Sequence, residues 1–233
     1  MSYSEAALVL PAAGQGVRMG AGKPKPFVEL LNKPILVWVL EPFVSLDLAH
    51  QTIIAAADEY VSRVKRLVAE HFGSRVGLRV VPGGTDRQGS VYNGLLALRP
   101  DTEIVIVHDA VRPFVEPGTI RESIEAARVF GAATAAIPVV DTVIAVEDDL
   151  TVRDTLDRRE LWAVQTPQAF QYDTILKAHE QAEKDGVRAT DDAELVRRLG
   201  LTVKVVRGSA DNIKITDAHD LLVGEQILKS RET

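Results

Sequence analysis

The 233-residue chain has no cysteine, which excludes disulfides, thiolate metal sites and cysteine nucleophiles. It also lacks any apolar run of membrane-spanning length. Basic residues are not in excess: 27 Lys and Arg against 33 Asp and Glu leave a net charge of −6. That balance argues against a broad surface for nucleic acid or membrane, so cations matter where they cluster. The amino-terminal Met1-Ser2-Tyr3-Ser4-Glu5 has neither a basic flank nor a long apolar core, so no signal peptide and a cytoplasmic location are expected. Two catalytic signatures are missing as well, a Ser–His–Asp ordering and a His-x-His metal pair.

With 46% apolar and 26% charged residues, the chain can form one large domain with a sizeable core, or at most two small ones. Short apolar runs at Ala6–Leu10, Thr52–Ala56, Leu78–Val81, Ile104–Val107, Ala133–Val139 and Val203–Val206 predict strands buried on both faces, as in a parallel sheet. Helical patterns fall between and after them, at Ile35–Phe43, Tyr60–Phe72, Gln88–Leu98, Gly118–Phe130, Asp173–Lys184, Asp191–Leu199 and Asp217–Leu228. The alternation predicts a doubly wound, mostly parallel α/β sheet, whose ligands bind outside the carboxyl ends of the strands. Thr142–Val146 and Thr151–Leu156, separated by the acidic Glu147-Asp148-Asp149, read instead as a β-hairpin. Its apolar content is thin for a core pair. Projection onto a second copy of the chain and packing on its own domain both remain open.

The richest stretch is Pro11-Ala12-Ala13-Gly14-Gln15-Gly16-Val17-Arg18-Met19, directly after the first strand. Small residues let backbone N–H groups approach an anion, and Arg18 adds a charged fork. Lys23-Pro24-Lys25-Pro26 follows with two more cations in a segment expected to be extended, because a residue before proline is pushed away from helix. The dinucleotide fingerprint fails, since Met19 stands where its third glycine belongs, and the Walker pattern fails because Pro24 follows Gly22-Lys23. A nucleoside-triphosphate loop of another kind is the reading, with a plain glycine-rich turn as its alternative.

Three further clusters bear on chemistry. His108-Asp109-Ala110-Val111-Arg112-Pro113 ends a buried strand. There Asp109 can hold magnesium or a ribose hydroxyl and Arg112 can reach a phosphate, the alternative being a loop-ordering ion pair between them. His108 alone reads as a structural residue. Gly83 and Gly84 free the backbone to lie against a flat base, with Ser90 near the next helix start; Arg87 and Ser90 as solvated capping residues explain the same stretch. Arg158, Thr166 and Lys214 are expected as loop donors for a second anion. Cations and backbone donors thus dominate, which suits transfer between phosphates, a reaction that needs positioning and charge neutralisation. A phosphate monoester, with a second pKa of about 6, is already an anionic nucleophile at neutral pH and needs no general base.

The ordered set resembles the 2-C-methyl-D-erythritol 4-phosphate cytidylyltransferases of the non-mevalonate isoprenoid pathway. It comprises Pro11-Ala12-Ala13-Gly14-x-Gly16-x-Arg18-Met19, Pro24-Lys25, Gly83-Gly84…Arg87…Ser90-Val91, His108-Asp109-Ala110-x-Arg112-Pro113, Asp141-Thr142, Asp157-Arg158, Gln165-Thr166-Pro167-Gln168, Thr190-Asp191 and Asn212-Ile213-Lys214-x-Thr216. The resemblance covers nearly the whole chain. It implies a single nucleotidyltransferase-type Rossmann-like domain over residues 1–233 with a dimerising arm at about 141–165, and a homodimer whose sites share residues of both subunits. It implies condensation of CTP with the polyol phosphate, with magnesium held mainly through the CTP phosphates and Asp109 as a candidate ligand. Arg18 and Lys25 would bracket the α-phosphate. Pro11, Ala12, Ala13, Gly14, Gly16, Gly84 and Ser90 would hold CTP. Asp109, Arg112, Thr166, Thr190 and Lys214 would line the polyol-phosphate side, with Thr142 and Arg158 supplied by the partner. Two positions depart from the family: Pro26 replaces a common glutamine, and Thr85 an occasional aspartate. Ribitol-5-phosphate cytidylyltransferases share much of the pattern, and a non-catalytic nucleotide-binding scaffold is the alternative from another class; neither nucleic acid nor membrane is an expected partner.

Overall fold

The computed structural model describes Tyr3, residues 5–14 and residues 24–231. Its elements, in chain order, begin with strand β1 (Ala6–Pro11), the two-residue strands β2 (Glu29–Leu30) and β3 (Lys33–Pro34), helix α1 (Ile35–Ser45), β4 (Thr52–Ala56), α2 (Val61–Phe72) and β5 (Leu78–Pro82). Helix α3 (Arg87–Leu95), β6 (Ile104–Val107), α4 (Pro117–Phe130), β7 (Ala132–Pro138), β8 (Val143–Val146) and β9 (Val152–Leu156) follow. The chain continues through β10 (Trp162–Gln171), α5 (Tyr172–Asp185), α6 (Asp192–Arg198), β11 (Lys204–Arg207) and α7 (Ala218–Arg231). No helix among the described residues is long and apolar enough to cross a membrane.

Seven strands form the central sheet in the order β11-β7-β10-β6-β1-β4-β5. Six run in one direction and β10 runs against them, antiparallel to both β6 and β7. Alternate residues of each central strand feed opposite cores, as the pleat requires. Leu8, Ile54 and Ile106 join Leu36 and Phe43 of α1, Val64 of α2 and Ile120 of α4 on one face. Val9, Ile53 and Val107 join Val91 and Leu95 of α3, Ile175 of α5 and Val196 of α6 on the other. Continuous apolar runs therefore mark the inner strands covered on both sides. The runs at β5 and β11, also expected to be buried on both faces, form the sheet edges and are mostly half-buried or exposed. Helix ends follow local chemistry: Asp86 accepts from the Gly89 N–H at 2.7 Å to cap α3, and Asp191 accepts from the Glu194 N–H at 2.8 Å to cap α6.

The sheet corrects two expectations. Thr166 is not a loop donor. It lies within β10, where Gln165, Thr166 and Pro167 interrupt the apolar signal and the pairing with β7 shifts register between Val164 and Gln168. Proline cannot donate to a ladder, and an irregularity there accommodates it. Lys25 likewise is not extended: Lys25–Phe27 forms a 3₁₀ turn, with the Phe27 N–H bonded to the Pro24 carbonyl at 3.0 Å. Pro26 fits this turn because its missing N–H falls among those a helix start leaves unpaired. Among the described residues β8 and β9 pair only with each other, and Trp162 onward pairs with β7 in the main sheet.

Candidate active site

The chain leaves β1, builds β4 and β5 on one side, and returns through β6 on the other. The carboxyl ends of β1 and β6 thus flank a reversal of strand order, where open α/β sheets bind ligands. The β1 end supplies Pro11, Ala12, Ala13 and Gly14, and the β6 end supplies His108 and Asp109. Arg18 and Gly16 lie outside the described residues.

The loop after β1 rests against the Gly83-Gly84 loop. Ala12 donates its N–H to the Ala55 carbonyl at 2.7 Å, and Gly83 donates to Ala56 at 2.8 Å. A Cβ on Gly83 would fall 2.1 Å from the Ala13 Cβ, and one on Gly84 would fall 2.4 Å from the Gly89 carbonyl carbon. Only glycine permits these approaches. Ser90 ties the turn to α3: its hydroxyl donates to the Asp86 carbonyl at 2.8 Å and accepts from the Gly84 N–H at 3.0 Å. Two small-residue loops are therefore held edge to edge. Their close backbone approach is the chemistry a planar base and a phosphate chain require.

Beside them lies a charged cluster centred on Asp109, which is 6% exposed. Its Oδ1 accepts from Arg87 Nε at 3.1 Å, while Oδ2 faces Lys214 Nζ at 3.0 Å and Arg112 Nε at 3.5 Å. Burial acts to raise the carboxyl pKa, but Arg87, Lys214 and Arg112 outweigh it and hold the group well below the usual carboxylate range. Burial lowers the Arg112 pKa against the opposing pull of Asp109, and its Nη1 donates to the Asn212 carbonyl at 2.8 Å. Asn212 in turn donates to the Thr166 carbonyl at 2.8 Å, so the Lys214 loop is fastened to β10. The cluster turns its cation outward: the Lys214 side chain is 42% exposed, whereas the carboxylate beneath it is buried.

His108 aligns this strand end. Its Nε2 lies 2.9 Å from the Arg112 carbonyl oxygen and its Nδ1 lies 3.0 Å from Thr166 Oγ1. A carbonyl only accepts, so Nε2 carries the hydrogen and the bare Nδ1 accepts from the Thr166 hydroxyl. That hydroxyl oxygen then accepts the Asp109 N–H at 3.0 Å. Complete burial lowers the imidazole pKa to about 4, so the ring is neutral near pH 7.

Not every sequence-derived residue meets here. Thr190 is exposed ahead of α6, its hydroxyl 3.3 Å from Glu194. Thr142 is exposed before β8, and Arg158 is exposed with its Nη1 donating to the Val140 carbonyl at 2.6 Å. Lys25 is half-buried in its 3₁₀ turn. Arg87 is not the solvated cap that was one reading of its stretch; it is paired with both Asp109 and Asp192. Its sequence signals were its place between two glycines and Ser90 and its part in the ordered motif set. Both oxygens of Asp109 face cations, so a magnesium ion there would have to displace Lys214 and Arg112 from Oδ2. Among the described residues no group of three or more His, Cys, Asp or Glu is arranged to hold a metal.

This geometry has known counterparts. The family model for 2-C-methyl-D-erythritol 4-phosphate cytidylyltransferase (IspD) matches residues 6–230. An enzyme of that name from Pelotomaculum thermopropionicum is 46% identical over 226 residues, covering 97% of this chain and 95% of its own. Its counterpart from Geobacillus thermodenitrificans is 46% identical over 231 residues, covering 99% of each. The crystal structure of 4-diphosphocytidyl-2C-methyl-D-erythritol synthase from Anaerococcus prevotii is similar with a TM-score of 0.85 at 30% identity, covering 96% of each chain. By this match over nearly its whole length, the chain belongs to the 2-C-methyl-D-erythritol 4-phosphate cytidylyltransferase family.

Proposed function

We propose that this chain transfers the cytidylyl group of CTP to 2-C-methyl-D-erythritol 4-phosphate, releasing pyrophosphate. The observation that carries the reading is the Lys214–Asp109–Arg112 cluster at the carboxyl end of β6, beside two glycine loops at the strand-order reversal. A phosphate oxygen of the polyol phosphate attacks the α-phosphorus of CTP. That P–O bond forms as the bond to the β-phosphate breaks, and pyrophosphate leaves with the electron pair. The nucleophile is already ionised, which agrees with the neutral, inward-bonded state of His108. Pro11 to Gly14, Gly84 and Ser90 hold CTP through backbone groups. Lys214 and Arg112 receive the acceptor phosphate, with Thr166 and Thr190 on the same side. Lys25, joined by Arg18 from the segment after Gly14, offsets charge developing at the α-phosphate. Magnesium, as the common companion of nucleoside triphosphates, enters with the CTP phosphates rather than on Asp109.

The same reading makes the protein a homodimer. The β8–β9 hairpin leaves Ile144, Val146, Val152 and Leu156 between 39% and 56% exposed, and an isolated two-stranded hairpin is marginally stable in water. A second copy covering this arm would bury those side chains and carry Thr142 and Arg158 to its neighbour's site. A cytoplasmic location accompanies the use of CTP.

The test is pyrophosphate release with each of the four nucleoside triphosphates, each offered 2-C-methyl-D-erythritol 4-phosphate or ribitol 5-phosphate. Release with CTP and the methylerythritol phosphate supports the assignment. Preference for ribitol 5-phosphate reassigns the acceptor, and no release with any pair refutes catalysis.

A further inference from the structure

Asp109 is one end of a buried ionic chain that reaches through the helix layer. Arg87 Nε donates to Asp109 Oδ1 at 3.1 Å, and Arg87 Nη1 donates to Asp192 Oδ2 at 2.8 Å. Asp192 Oδ1 accepts from His179 Nε2 at 3.0 Å, and the imidazole stacks on Tyr92 with planes 3° apart. Asp192 and His179 are 1% and 0% exposed. The Asp192 N–H is itself held by Gln168 Oε1 at 3.1 Å. Residues of α3, α5 and α6 therefore converge on one oxygen of a carboxylate at the end of β6.

The two oxygens of Asp109 have different prospects. Oδ2 is shared by Lys214 and Arg112, the cations that the proposed reaction turns toward an anionic acceptor. Arg112 Nε, though buried, has no hydrogen-bond partner among the described residues and faces Oδ2 only across 3.5 Å. Such a contact is easily exchanged for a closer anion. Among the described residues Oδ1 pairs with Arg87 alone, and Arg87 is clamped from behind by Asp192.

We propose that Arg87, anchored by Asp192, is a positioning residue that keeps the Asp109 carboxylate charged and in place when the acceptor phosphate draws Lys214 and Arg112 away. Without the clamp Arg87 would follow the other two cations to the phosphate, and Asp109 would be left buried and unpaired. A buried charge stripped of its partners is strongly unfavourable. This role rests on the reading that Lys214 and Arg112 serve the acceptor. The groups facing Asp109 are Arg87 from α3, Arg112 from its own loop, Lys214 from the loop before α7, and the neutral Thr166 and His108. Asp192 of α6 stands behind Arg87.

The experiment is steady-state kinetics on the whole protein with CTP, magnesium and the methylerythritol phosphate between pH 4.5 and 8. The variants are Arg87→Gln, Arg87→Lys, Asp192→Asn and Lys214→Ala, each checked for folding by thermal unfolding. Arg87→Gln should raise KM for the acceptor by about tenfold or more, the scale of one charge-assisted hydrogen bond, with KM for CTP within about twofold. In the parent the acid limb of kcat follows the acceptor phosphate, which ionises at about pH 6. In Arg87→Gln it should move up by about one pH unit, as the buried Asp109 also takes up a proton within the tested range. Arg87→Lys restores the charge and should return that limb, which also covers the case in which Arg87→Gln does not fold. Asp192→Asn frees the clamp and should raise the acceptor KM. A lowered melting temperature with an unmoved acid limb and unchanged KM in the Arg87 variants overturns the proposal. If Lys214→Ala leaves the acceptor KM unchanged, the acceptor-side reading fails instead, independently of Arg87.

Discussion

Acidification from pH 7 to 4 should destabilise this fold by about 3 kcal/mol through one side chain, His108. The ring is fully buried between Phe43, Thr166 and the Arg112 carbonyl, and burial brings its pKa from 6.5 to about 4. Between those two values the unfolded chain carries a proton on this ring and the folded chain does not. The unfolded state binds more protons there, so stability falls by about 1.36 kcal/mol for each pH unit lost and levels off below about pH 4. Asp109 and Asp192 have depressed values. Their contribution is present above the ordinary carboxylate value of about 3.9 and is lost below it, as pH falls toward their folded values. The window between about pH 4 and 6.5 therefore belongs mainly to histidine. Urea unfolding at pH 7, 6, 5 and 4.5 measures the slope, and His108→Gln supplies the control. Glutamine keeps a donor for the Arg112 carbonyl but does not ionise. The variant should be less stable at pH 7 and should lose most of the pH dependence in this window. In the parent, a drop of about 3 kcal/mol corresponds to about 6–12 °C in Tm for a chain of this size. An equal slope in the parent and His108→Gln would refute the reasoning.

Two further outcomes follow from the site. Lys25→Ala should lower kcat by roughly 10²-fold, with Arg18→Ala acting alike, because both cations act on developing charge; near-normal kcat in a folded variant would remove that role. Mixing inactive Lys25→Ala and Arg158→Ala proteins under subunit exchange should restore about a quarter of the parent's total activity, since half the dimers are then mixed and each contains one complete site of two. No recovery despite exchange, followed by native mass spectrometry, would place Arg158 in its own chain's site or outside any site.

The strands were legible wherever a run such as Ile104–Val107 is apolar on both faces, because a parallel sheet covered by helices leaves no polar alternation. β10 escaped this logic. Gln165, Thr166 and Gln168 are polar yet buried, each satisfied by a partner distant in sequence: Ser209, His108 and Thr134 respectively. Hydropathy cannot register a polar group whose hydrogen bond closes only on folding. The pairing of Arg87 is hidden for the same reason. An arginine between a glycine turn and a helix looks solvated until Asp192, 105 residues later, is packed behind it. Asp109 shows the reverse case: its strand-end location and a pairing with Arg112 were visible, but Arg87 and Lys214 were not.

Sequence alone determined the alternating architecture, the glycine loops and the positions at which cations interrupt them, because these depend on periodicity and on the conformational range of single residues. Tertiary structure decided which charges meet. The partners of Asp109 come from α3, its own loop and the segment before α7, so their pairing depends on the order of strands in the sheet. The neutral state of His108 was also decided there, since only burial removes the water that would stabilise its charged form.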